Sequence, residues 1–265
     1  MSGSLAHFSP IHVAIKTLRR ILHNTSMSAL SSPSAFSYEL FRAVKRNEDS
    51  DGYFDELAAM DDAFLSELDG RSDAVTAFWV NVYNALVQRD LQVDISLYEH
   101  KRRFFGQQRH IVAGTDLSLD DIEHGILRSS KWKYGLGYLP RLFPSSFERT
   151  YRLLGVDPRI HFALNCGAES CPPIVAYTAS NIDDELERSA TSFLQQSSRY
   201  DRDANDVWVS RLFLYFRGNF GGRSGIYDTL ERYGVIERGD RPRIRYQKYD
   251  WTLHKGMYRD EVSSA

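Results

Sequence analysis

Apolar positions recur at helical spacing in three stretches of the first third of the chain, Tyr38–Lys45, Tyr53–Leu68 and Ala74–Leu91. The last holds AFWVNVYNALV. At about 100° per residue its apolar side chains run nearly all the way round, which predicts a central, buried helix. Arg109–Ala113 reads as a short strand before Gly114. Ser118–Leu127 reads as a helix with Ser118 as N-cap and Asp120 and Asp121 in the first turn, where the helix dipole favours acids. The Ser118-to-Asp121 spacing also fits the acidic form of a capping box. Residues 131–146 form a loop rich in Gly, Pro and aromatics. Arg159–Asn165 alternates as a strand would, with Ile160, Phe162 and Leu164 on one face and His161, Ala163 and Asn165 on the other. Asn181–Leu194 and Gly225–Tyr233 read as helices, Trp208–Tyr215 as strand or helix, and Ile244–Trp251 as a late strand.

The sum is an α+β fold, a helix-rich single domain with a small, mostly antiparallel sheet. Ser26–Ser37 is rich in Ser, Ala and Pro and reads as a linker. This sets an N-terminal arm and linker (1–35) apart from one globular domain (36–265). Within the arm, Val13–Leu22 has the pattern of a short basic amphipathic helix, expected to pack on the domain, with a role on a membrane surface as the lesser alternative.

Charge and composition narrow the function. The 265 residues carry 33 Lys and Arg against 35 Asp and Glu, a net of -2, which argues against general nucleic-acid binding. No window offers about 18 uncharged apolar residues, so no transmembrane segment is expected, and no signal-peptide pattern opens the chain. The expected location is cytoplasmic, and the expected partner is a small molecule or a protein. Aromatics make up 13% of the residues, concentrated in the central helix and two C-terminal segments, where they read as core. Phosphate-loop, dinucleotide, nucleophile-elbow and zinc-protease motifs are missing, so no cofactor is expected.

Three stretches carry candidate chemistry. In the central helix, Asn81 and Asn84 lie one turn apart, and each either ties down a neighbouring loop or lines a polar pocket. In LSLDDIEHGILR, Glu123 falls inside the apolar arc and His124 on its border. A carboxylate facing a core is either paired, for instance with Arg159, or titrates abnormally, and both situations recur at active sites. In DPRIHFALNCGAESCPPI stand both cysteines, Cys166 and Cys171, with His161 upstream and Gly167 and Pro172–Pro173 forcing a turn. A nucleophilic thiol needs a base and often a third group to orient it, and histidine, carboxylate and asparagine are those types. Two cysteines alone make no zinc site, and His161, Cys166, Cys171 and His124 match no standard metal spacing, so no metal is expected.

These stretches, together with the closing YDWTL, resemble the domain of unknown function 547 family, over roughly Ala74–Leu253. The resemblance implies a shared set of residues, here Asn84, Glu123, His124, His161, Asn165, Cys166, Ser170 and Cys171, and no established activity. Three readings of that set stay open. One is a thiol-dependent hydrolase or acyl-transfer enzyme, with Cys171 or Cys166 as nucleophile, His161 or His124 as base, Glu123 orienting it, and Asn84, Asn165 and Ser170 in the substrate pocket. Another is a non-catalytic interaction or scaffold domain. The third is a Cys166/Cys171 redox switch.

Overall fold

The computed structural model describes residues 32–68 and 73–258. The basic stretch Val13–Leu22 and the first half of the Ser/Ala/Pro segment lie outside the described residues. Helix α1 (Pro33–Lys45) starts inside the stretch read as linker. The Ser32 hydroxyl accepts from the Ala35 N–H, and Pro33 takes a first-turn position that needs no N–H. Phe36, Leu40, Phe41 and Val44 then follow at helical spacing, all buried, and α1 packs along the central helix.

The apolar run Tyr53–Leu68 forms two helices, not one. Helix α2 (Asp51–Ala59) ends at Met60, whose backbone is extended. The Asp61 carboxylate then accepts from the Phe64 N–H at 2.7 Å and starts α3 (Asp62–Leu65). Apolar periodicity does not register this break, because it arises from a polar side chain that prefers a cap to a helix interior. The central helix α4 (Asp73–Val93) is buried at every position from Ala77 to Gln88. Each large apolar side chain it removes from water contributes roughly 1.5–3 kcal/mol.

A 3₁₀ turn (Ile95–Glu99) and the short α5 (Lys101–Gly106) lead to an antiparallel hairpin of β1 (His110–Val112) and β2 (Thr115–Leu117). The next helical segment starts at Ser118 with the acidic capping box in place. The Ser118 hydroxyl accepts from the Asp121 N–H at 3.0 Å, and the Asp121 carboxylate accepts from the Ser118 N–H at 3.1 Å. From Asp121 to Leu127 this segment winds as a π-helix. A loop and α6 (Ser146–Tyr151) follow.

Residues 159–165 are not a strand. The Asp157 carboxylate accepts from the Arg159 N–H at 2.9 Å, Pro158 sits in the first turn, and Pro158–Phe162 form a 3₁₀ helix. An Asp-Pro start outweighs the alternation from Arg159 to Asn165. Ile160, His161 and Phe162 are therefore all buried instead of dividing between two faces.

The remainder comprises α7 (Ile182–Ser197), β3 (Arg199–Asp201), β4 (Asp206–Val209), α8 (Leu212–Tyr215), α9 (Gly222–Arg232) and β5 (Arg243–Tyr246). The ambiguous Trp208–Tyr215 is thus a strand end followed by a helix. Strand β4 pairs antiparallel with β3 and parallel with β5, so this three-stranded sheet is mixed, separate from the antiparallel β1–β2 pair, in a helix-rich α+β fold. Apolar side chains gather in two clusters, one around α1 and α4, the other around α7–α9 and the β3–β5 sheet. Cys166 packs against both.

Candidate functional site

The loop that carries the thiols is built by asparagines. The Asn84 amide donates to the Ala163 carbonyl and accepts from the Asn165 N–H, each at 3.0 Å, so α4 holds the strand of chain entering the loop. The Asn165 side chain repeats the device inside the loop, donating to the Pro172 carbonyl and accepting from the Gly167 N–H, both at 2.8 Å. Gly167 has φ +83°, a left-handed backbone that favours glycine, and a Cβ there would also press on Leu91 Cδ1 at 2.8 Å. One helical turn before Asn84, Asn81 clamps Tyr177 in the same two-bond fashion. Ser170 accepts from the Asp250 N–H at 2.8 Å and ties the loop to the C-terminal segment. Asn84, Asn165 and Ser170 are thus spent on backbone, outside the pocket wall.

The loop brings the sulfurs together as free thiols. Cys171 Sγ accepts from the Cys166 N–H at 3.1 Å and lies 3.3 Å from the Tyr249 hydroxyl, which is also 3.5 Å from Cys166 Sγ. Burial alone would push Cys171 up, but the hydrogen bonds from Cys166 and Tyr249 outweigh it and hold the thiol below its ordinary value. Cys166 is pushed well up by its sulfur neighbour and by burial. Of the pair, Cys171 is the one whose thiolate is favoured.

In the same pocket the π-helix presents Glu123 and His124. The Tyr83 hydroxyl donates to Glu123 at 3.3 Å, and Glu123 Oε1 lies 3.5 Å from His124 Nδ1. Arg159 is not its partner, being engaged by Asp157, Asp183 and Glu187. The nearby cation is Arg128, fully buried, whose guanidinium donates to His124 Nδ1 at 2.7 Å and to Asn219 Oδ1 at 3.0 Å and lies over the Phe216 ring. A guanidinium only donates, so His124 Nδ1 accepts, and Nε2 carries the hydrogen directed at Asp120, 3.4 Å away. Burial works against the Asp120 carboxylate, but His124 and Lys133 together hold it below the usual range.

His161 stacks on Phe216 with ring centroids 3.8 Å apart. Its Nε2 lies 3.1 Å from the same Asn219 oxygen that accepts from Arg128, so Nε2 donates and Nδ1 is the bare acceptor, without a protein partner. Burial, then the charge of Arg128, pushes this imidazole well below its ordinary value and keeps it neutral.

Glu123, His124, His161, Cys166 and Cys171 all line one pocket of about 360 Å³, although they come from two separate stretches. Tyr83 and Tyr249 stand in its wall, and Phe105, Leu164, Leu212, Phe216 and Trp251 make most of the rest apolar. Among the described residues no group of three or more His, Cys, Asp or Glu could hold a metal ion. Four residues that complete the site gave little signal in the sequence. Tyr83 and Tyr249 fall in aromatic stretches that read as core, and nothing local singles out Arg128 or Asn219. A tyrosine or asparagine in an otherwise apolar run was the available hint.

The fold and site together define an α+β domain in which a buried thiol–tyrosine pair, a carboxylate and two imidazoles line one apolar pocket. Residues 66–194 match the family described as a protein of unknown function, DUF547, and the chain carries a domain of that family. No curated protein and no solved structure matches the chain. Among the described residues no helix is long and apolar enough to cross a membrane.

Proposed function

We propose that the pocket carries out thiol-dependent acyl chemistry, hydrolysis or transfer, with Cys171 as nucleophile and His161 as base. The observation behind this reading is the shared wall: a thiol with a favoured thiolate and a neutral imidazole whose buried Nδ1 has no protein partner line the same apolar cavity. His124 is the weaker base, because Arg128 occupies its Nδ1. Arg128 and Asp120 hold the His124 ring at its two nitrogens, and Tyr249 steadies the sulfur. In the reaction the thiolate attacks the acyl carbonyl and a C–S bond forms. His161 carries the thiol's proton only in passing, because burial and Arg128 make its imidazolium a strong acid, and hands it to the leaving group as the bond from the carbonyl carbon to that group breaks. Water, or an acceptor, then releases the acyl group.

The test uses the full chain and p-nitrophenyl acetate, with intact mass as readout. An acetyl adduct is expected on the wild type and on Cys166→Ser, and not on Cys171→Ser, and His161→Gln should slow its formation. Iodoacetamide alkylation of Cys171 should titrate below the ordinary thiol value of about 8.5, and Tyr249→Phe should move that midpoint up. If both thiols label only after denaturation and no adduct forms, the nucleophile reading fails and a scaffold domain remains.

A second reading rests on the single hydroxyl shared by both sulfurs. A peroxide would oxidise the two thiols to a disulfide while being reduced to water. The signature is a mass loss of about two daltons, reversed by a thiol reductant. An unchanged mass under oxidant removes it.

A further inference from the structure

The loop after the π-helix exposes apolar side chains that the pocket does not account for. Seven of the twelve large hydrophobic residues left exposed among the described residues fall between Trp132 and Phe143. Leu142 and Phe143 are the extreme, 83% and 90% exposed. A concentration of this kind on one loop marks a contact surface, whereas scattered exposed leucines do not.

The loop is firmly held. Trp132 donates its N–H to the Leu139 carbonyl at 2.9 Å, Arg141 donates to the Ser130 carbonyl at 2.7 Å, and Lys131 and Pro140 form an antiparallel bridge. Its tip is pinned by the Gly218 N–H, which donates to the Leu136 carbonyl at 2.7 Å. Backbone meets backbone so closely there that a Cβ on Gly218 would stand 2.5 Å from the Gly137 carbonyl carbon. The apolar side chains are therefore presented to solvent by a fixed frame.

The charge around them has one sign. From Lys131 to Leu154 five Lys and Arg stand against one acid, Glu148, in a chain whose net charge is -2. Glu148 is buried and bonded to Arg141, and Lys133 is bonded to Asp120. Lys131, Arg149 and Arg152 have no carboxylate partner among the described residues. Arg149 and Arg152 bond only the Pro144 carbonyl and the Ser130 hydroxyl.

We infer that this loop docks the protein on an anionic lipid surface. A projecting Leu–Phe tip, flanking Trp and Tyr and a basic rim are the chemistry of a segment that lies in the headgroup–acyl boundary. The core of a protein–protein interface is depleted in lysine and has no need of unpaired cations of one sign. Tyr134 and Leu136 belong to the loop and also line the pocket, so docking places the pocket mouth at the lipid surface. This inference is independent of whether Cys171 is a nucleophile.

The test is co-sedimentation of the full chain with phosphatidylcholine vesicles, with and without phosphatidylserine. Binding is expected on the serine-containing vesicles, weakened by added salt as exposed charges are screened. The double variant L142D/F143D should bind at least about tenfold more weakly, the loss expected when two exposed apolar anchors are removed. Both side chains are exposed, so folding should survive, and an unchanged circular dichroism spectrum checks it. No binding to either vesicle overturns the inference, as does binding that the double variant leaves intact. A wild-type dimer that the variant dissolves, without vesicle binding, assigns the surface to a second copy of the chain instead.

Discussion

His161 shows what a single residue contributes here. Its ring is buried, stacked on Phe216 and bonded at one nitrogen, and it resists a second proton. An unfolded histidine titrates near about 6.5. As pH falls through that value the unfolded chain takes up a proton that the folded chain refuses, so stability falls, by up to about 1.4 kcal/mol per pH unit for one group. His161→Gln removes this term. Urea unfolding at about pH 7.5, 6.5 and 5.5 should therefore show the stability gap between wild type and variant narrowing as pH drops. A constant gap would mean that the folded imidazole is protonated like the unfolded one. The sequence made His161 visible through its neighbours, two cysteines within ten positions. Tyr249 was not visible in the same way, because its partner sulfur is 78 positions away and nothing local distinguishes a hydroxyl that bonds a thiol from one that faces water. Glu123 stood out because a carboxylate in an apolar arc violates the pattern around it.

At the scale of elements, polar punctuation decided more than apolar period. The Ser118–Asp121 box is legible in the sequence because both partners lie within one turn. The Asp61 break and the Asp157–Pro158 start were equally local, but they ran against an apolar rhythm that suggested something longer or straighter. The π-helix was not legible at all. An extra residue in a turn leaves the composition of the segment unchanged, yet it decides how Glu123 and His124 are presented.

The asparagines of α4 behave as joints between elements. Asn84→Ala would leave the buried Ala163 carbonyl and Asn165 N–H without partners, a cost of about 2–4 kcal/mol. Asn81→Ala should cost a similar amount by releasing Tyr177. The two differ in what they release. Asn84 holds the loop that places Cys166 and Cys171, and Asn81 does not, so the rate of Cys171 alkylation should change in Asn84→Ala and stay near wild type in Asn81→Ala. Chemical denaturation measures the first effect and timed iodoacetamide labelling the second. Equal reactivity in the two variants would show that the loop holds its shape without the clamp.

For the whole molecule, the matched residues 66–194 include Glu123, both histidines and both cysteines, while much of the pocket wall comes from further along. Phe216, Tyr249 and Trp251 close it, and Asn219 links Arg128 to His161. The final described segment is a strap over the thiol loop. Glu169 donates its N–H to the Thr252 carbonyl at 2.8 Å, His254 donates to the Gly167 carbonyl at 2.8 Å, and Ile174 donates to the Met257 carbonyl at 2.8 Å. Leu253 and Tyr258 are only partly buried against the larger apolar cluster, which otherwise draws on residues before 187. Ending the chain after Lys248 should therefore uncover the loop while leaving the helices around α4 in place. Both cysteines of the shortened chain should react with 5,5′-dithiobis(2-nitrobenzoate) at rates approaching those of free thiols, with far-ultraviolet circular dichroism close to that of the full chain. Cys171 should also lose its favoured thiolate, since the Tyr249 hydroxyl goes with the strap, and its labelling should titrate at higher pH. If both thiols keep the labelling rates they have in the full chain, access to them is set by the loop and α4 alone, and the strap serves only to tether the C-terminal segment.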